Sequence, residues 1–154
     1  MAVKLSAITE ATPQLIASAI LRVDTHGAGF TDISGHAAGF IAQLGAGDGV
    51  LLVYLRHTSA SLTIQENADP DVRADLVAAL DRLAPADAPW IHDVEGPDDM
   101  PAHVKAMLNG VSLHIPVAGG ALALGTWQGL YLVEHRLRPH TREVVFQFIG
   151  SRRG

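Results

Sequence analysis

Apolar and polar positions divide this chain into short runs separated by glycine and proline, with few long periodic segments. Residues 14–24 (QLIASAILRVD) are apolar-rich and of strand length, which predicts a first strand after a mixed arm, residues 1–13, that ends at Pro13. Residues 30–34 form a short extended piece. From Ser34 to Leu44 the spacing of Ala37, Phe40, Ile41 and Leu44 is helical, with Ser34 as the predicted cap. Gly45–Gly49 reads as a glycine-rich turn, and the continuous apolar run Val50–Leu55 as a buried strand. Leu62–Ile64 is a short strand. Asp69 and Pro70 open a helix over 70–83, where a cap side chain and a proline at the first helical position fit together. Its predicted buried stripe is Val72, Leu76, Leu80 and Leu83. A second helix is predicted from about Pro101, capped by Asp98 or Asp99, to Asn109-Gly110, burying Val104, Met107 and Leu108. Strands then follow at 112–117, 121–124, 130–137 and 144–149, with a Gly119-Gly120 hairpin between the first two. Short strands with tight turns favour antiparallel pairing. The pattern predicts an α+β domain, a single-domain antiparallel β-sandwich with two or three helices, over residues 14–151.

Composition narrows the function classes. With 48% hydrophobic and 18% charged residues the chain can bury one sizeable core. A formal net charge of −5 and the absence of any Lys/Arg block argue against a nucleic-acid binder. There is no cysteine, so a metal site must use His, Asp or Glu. No apolar run reaches membrane-spanning length, and the expectation is a cytoplasmic protein with no membrane partner.

The chemistry concentrates in His92–His103 (HDVEGPDDMPAH), where two histidines stand among Asp93, Glu95, Asp98 and Asp99. Such a stretch is either a solvated loop or the donor set of a divalent metal or proton-transfer site. His103 falls in the first turn of the predicted helix, where the helix dipole favours neutral imidazole, the form that binds metal. His57, at a strand end before Thr58-Ser59, is either a ligand or base or a histidine satisfied by a carbonyl. Asp69 has a sufficient role as a cap. Glu66 has none, which makes it the more interesting carboxylate. Trp127 reads as a core or interface anchor ahead of a stacking platform. His26, His36, His114, His135 and His140 read as surface or satisfied histidines.

Three long strings stand in order: HTSASLTIQENADPDVRADL (57–76), HDVEGPDDMPAHVKAMLNGVSLHIPV (92–117) and GTWQGLYLVEHR (125–136). In these the chain resembles the YjbQ-like family, described as secondary thiamine-phosphate synthase enzymes. The resemblance implies an α+β sandwich, a homotrimer and a histidine-rich pocket holding a metal or anion near the subunit interface. It also implies weak coupling of a hydroxymethylpyrimidine diphosphate to a thiazole phosphate, with release of pyrophosphate. The family's motif residues fall on His57, Glu66, Asp69, His92, Asp99, His103, Thr126, Trp127, Gln128 and Glu134. His135 departs from the aromatic residue of many members. The looser PHTRE segment (139–143) weakens any anion-binding role for Arg138 or Arg142.

With the resemblance in place, His57, His92 and His103 become the expected ligands of a divalent metal, Zn or Mg. Glu66, Asp99 and His103 become the expected acid/base groups, and Thr126, Trp127, Gln128 and Glu134 the expected substrate contacts. The chain offers little positive charge for two phosphorylated substrates. That leaves open a metal-dependent hydrolase or lyase of a small metabolite, and a non-catalytic trimeric binding protein.

Overall fold

The computed structural model describes residues 2–154; Met1, the first residue of the predicted arm, lies outside them. The arm to Gln14 has no regular secondary structure. Eleven elements follow: β1 (Leu15–Thr25), β2 (Gly29–Asp32), α1 (Ser34–Gln43), β3 (Ala46–Leu55), β4 (Ala60–Glu66), α2 (Pro70–Leu83), α3 (Asp99–Asn109), β5 (Ser112–Ala118), β6 (Ala121–Leu122), β7 (Gln128–Glu134) and β8 (His140–Arg152). They form two antiparallel sheets, one ordered β1-β8-β3-β5-β6 and the other β2-β7-β4. Among the described residues no helix is long and apolar enough to cross a membrane.

The core lies between the sheets and follows the two-residue period of strands. β8 buries Val144, Phe146 and Phe148 against Leu51 and Val53 of β3, while Leu62 of β4 and Leu130 and Leu132 of β7 close it from the smaller sheet. Ile41 and Ala37 of α1 complete it. β7 is buried from Gly129 to Glu134, because it is the central strand of the small sheet and helices α2 and α3 pack on its neighbours.

Four local expectations change. Gly45–Gly49 is mostly strand: a Cβ on Gly49 would stand 2.3 Å from the Ile149 carbonyl oxygen, so glycine here permits close pairing of β3 with β8. Ser34 does not cap α1, since its hydroxyl accepts the Leu130 backbone N–H at 2.8 Å. α3 buries Pro101, Ala102, Lys105 and Ala106, while Met107 is 80% and Leu108 55% exposed. The helix turns that way because its polar face is needed: Lys105 pairs with Asp81 of α2. No residue of α2 is fully buried, and Leu83 is 67% exposed. Asp69 does cap α2, accepting the Asp71 N–H at 2.9 Å, with Pro70 at the first helical position.

Candidate metal centre

Asp99 opens α3, and His103 sits one turn later on the same face. The loop before the helix folds back so that His92 reaches the same carboxylate. Arg136, just after β7, holds this loop from below. Its Nε donates to Asp98 Oδ2 at 3.1 Å, its Nη2 donates to the Glu95 carbonyl at 2.9 Å, and its Nη1 donates to Asp99 Oδ1. The Leu137 N–H adds a second bond to Asp98 at 2.9 Å. Arg136 and Asp99 are both buried, so this pair fixes the carboxylate rigidly.

The other oxygen of Asp99 is turned outward. Oδ2 lies 2.7 Å from His92 Nε2 and 3.1 Å from His103 Nε2. The three atoms lie within 4.8 Å of one another. Burial alone would raise the Asp99 pKa; the His92 imidazole, the Arg136 guanidinium and His103 outweigh it and hold the carboxyl below the usual carboxylate range.

His103 carries the decisive detail. Its Nδ1 is 2.8 Å from the Thr58 carbonyl oxygen. A carbonyl only accepts, so Nδ1 holds a proton, and Nε2 is turned to a carboxylate oxygen. That contact is attractive only with a proton or a metal cation between the two atoms. A histidine whose second nitrogen is pinned by a carbonyl is how proteins present a ligating imidazole. Two imidazole nitrogens and one carboxylate oxygen suit Zn and leave coordination positions open. The side chains of His92 and His103 are 40% and 32% exposed, so the centre faces outward.

Beside it runs a cleft of about 760 Å³, lined among others by Tyr54, Arg56, His57, Thr58, His103 and Met107. His57 thus shares the cleft with His103 but stands outside the three-atom group. Its Nε2 accepts the Glu143 backbone N–H at 2.8 Å.

The remaining predicted residues go elsewhere. Glu66 accepts the Ala68 and Asp69 N–H groups at 3.1 and 2.8 Å, bracing the turn before α2. Thr126, Trp127 and Gln128 lie at that same end, where Asn67 donates to the Trp127 and Thr126 carbonyls. Trp127 is 65% exposed. Glu66 pairs with Gln128, and Ala60 with Glu134, at opposite ends of the β4–β7 ladder. The two groups are therefore ~20 Å apart within one chain at ~3.3 Å per strand residue. Glu134 is buried and bonded to Arg142, Thr25 and the His135 and Arg136 N–H groups.

Sequence reasoning missed Arg136, the Thr58 carbonyl and the nature of His135. His135 is buried, its Nε2 2.9 Å from the Ser61 hydroxyl, which also accepts from Asn109. Burial, then the nearby Lys105 charge, pushes its pKa down to about 4. The visible signal was the EHR string, in which charged groups directly follow an apolar strand.

The family model described as UPF0047 protein YjbQ-like matches residues 19–151. A UPF0047 protein of Synechocystis is 46% identical over 133 residues, covering 86% of this chain and 90% of its own. The UPF0047 protein YjbQ of Salmonella typhimurium is 50% identical over 103 residues, covering 67% of this chain and 75% of its own. Among solved structures, a hypothetical protein of Aeropyrum pernix superposes with a TM-score of 0.81 at 31% identity, covering 88% of this chain and 99% of its own.

Proposed function

The chain belongs to the YjbQ-like UPF0047 family, and from that premise we propose that His92, Asp99 and His103 hold a divalent cation that serves an enzyme of small anionic metabolites. The observation that carries this reading is the Thr58 carbonyl fixing His103 Nδ1–H, which turns Nε2 towards the same Asp99 oxygen that His92 reaches. A bound divalent cation supplies Lewis-acid neutralisation of charge on a phosphoryl or carboxylate oxygen. The chain's own groups do the positioning. Arg136 fixes Asp99, Thr58 fixes His103, and Tyr54 and Met107 give the adjoining cleft apolar walls.

The reaction that the resemblance implies is thiamine phosphate synthase-type transfer. A thiazole nitrogen already carries a lone pair, so that reaction asks for stabilisation of the leaving diphosphate and needs little base catalysis. One observation favours a second reading, hydrolysis or lysis of a smaller metabolite. Among the described residues Arg56 is the only Lys or Arg lining the cleft, and it is paired with Glu143. Two phosphorylated substrates call for more positive charge.

The trimer belongs to the same proposal. Ile16, Ile20 and Tyr54 are exposed on the larger sheet, and a sheet face this apolar fits contact between copies better than contact with water.

The test is metal analysis of untagged protein, with thermal unfolding on adding Zn²⁺ or Mg²⁺. The expected result is one equivalent of cation and a raised Tm, both lost in His103→Ala. Neither appearing removes the metal reading. Pyrophosphate release from the two thiamine precursors supports the transferase. Turnover of a phosphoester panel without it supports the hydrolase. Sedimentation measures the assembly, and a monomer removes the trimer.

A further inference from the structure

We propose that the cavity between α2 and α3 is a second ligand site, in which Lys105 takes the carboxylate of a small, short-chain monocarboxylate in exchange for Asp81. The site is distinct from the cation centre. Lys105 follows His103 by two residues on one helix, which turns it about 200° away around the axis.

The cavity measures about 310 Å³, the small end of the range for ligand pockets. Ala84, Pro85 and Ala86 from the end of α2, Pro101 of α3 and Leu137 give it apolar walls. Lys105 enters from α3, and its side chain is only 10% exposed. A cation so deeply buried needs an anion beside it. The anion it has is Asp81 of α2, which also lines the cavity and whose side chain is 61% exposed. The two partners are unequally placed. Asp81 can turn out into water, and hydration offsets much of what its carboxylate loses by leaving. Lys105 cannot follow it without vacating the interior. A carboxylate that enters the cavity therefore replaces one ion pair by another and leaves no charge stranded.

The other charged groups on the wall fix the class of ligand. His135 is uncharged at pH 7, because burial, followed by the Lys105 charge, pushes its pKa down to about 4. Asp98 is committed to Arg136 Nε and to the Leu137 N–H. Among the described residues Lys105 is thus the one cation lining the cavity. One ammonium matches one negative charge, so a monocarboxylate fits and a phosphoryl group, with a charge of about −1.5 to −2, does not. Alanine and proline walls match a short hydrocarbon tail.

The probe is butyrate, titrated into the purified protein by calorimetry while the Lys105 ε-carbon is followed by NMR. The expected result is binding that moves the Lys105 resonance and is lost in Lys105→Met. Asp81→Asn removes the internal competitor, and butyrate should bind about tenfold tighter to it, the worth of a hydrogen bond to a charged group. A purely structural Lys105–Asp81 pair would give no such gain. His103→Ala leaves butyrate binding intact, and inorganic phosphate does not displace butyrate. No butyrate binding to the wild type or to Asp81→Asn overturns the site, as does an affinity unchanged or weakened in Asp81→Asn. Binding that persists in Lys105→Met, or that disappears in His103→Ala, places the carboxylate elsewhere and overturns it too. Phosphate competing as well as butyrate overturns the monocarboxylate assignment.

Discussion

Two buried arginines six residues apart in sequence, Arg136 and Arg142, each clamp a buried carboxylate, and the two clamps differ in one respect. Around Arg142 every oxygen of Glu134 is spoken for, by the guanidinium, the Thr25 hydroxyl and two backbone N–H groups. Around Arg136 only Oδ1 of Asp99 is so consumed, and Oδ2 is turned to two partly exposed imidazoles. The same ion-pair chemistry is closed in one place and open in the other. A closed clamp holds strands together. An open one holds a carboxylate in place for something else.

The largest effect that can break this comparison is at the closed clamp. Glu134→Gln leaves Arg142 buried without a counter-charge, and should cost roughly 3–5 kcal/mol in denaturant unfolding. Asp99→Asn should cost less, since Arg136 keeps Asp98 and the Glu95 carbonyl, yet it should abolish any cation-induced rise in Tm. Equal losses would erase the distinction between the clamps.

His135, adjacent to Arg136 in the chain, gives the next effect. Its pKa is lowered from 6.5 to about 4. The unfolded chain therefore binds this proton more tightly than the folded one. The stability it contributes is complete above pH 6.5 and is lost as pH falls from there through about 4. The loss amounts to ~3 kcal/mol at most. His135→Gln should flatten that part of the stability–pH curve, and an unchanged slope would assign acid sensitivity to other groups.

Arg136→Gln comes third. On the proposed metal reading, removing the support of the Asp99 carboxylate should weaken cation binding by roughly 10–100-fold, measurable with a competing chelator. Full affinity would mean that Asp99 needs no clamp. The smallest effect is Glu95→Ala. Its side chain is 63% exposed and stands 3.9 Å from Arg136. It should change stability by less than about 0.5 kcal/mol, because exposed pairs are screened and what Arg136 uses is the backbone carbonyl of Glu95.

Much of the site was legible in the residues from His92 to His103. Asp99 and His103 are four apart on a helix, and helical geometry alone places them on one face. The cap and proline at Asp69-Pro70 were legible for the same local reason. The face of α3 was not, because Lys105 follows its partner Asp81 on another helix, and hydrophobic spacing knows nothing of that charge. Nor was the role of Glu66, whose carboxylate bonds to N–H groups only two and three residues ahead in a turn that periodicity does not describe.

By itself the sequence determined the antiparallel sandwich, the helix that carries Asp99 and His103, and the restriction of any metal ligand to nitrogen and oxygen. Period-two and period-3.6 burial are local rules, and composition is a simple count. Only the tertiary structure decided that Thr58 sets the tautomer of His103, that Arg136 and Arg142 take up different carboxylates, and that Glu66 and Trp127 stand at the far end of the sheet. Those outcomes depend on which strand ends the sheet register brings together, and hydrogen-bond direction across 37 or 45 residues is not encoded in any window of the chain.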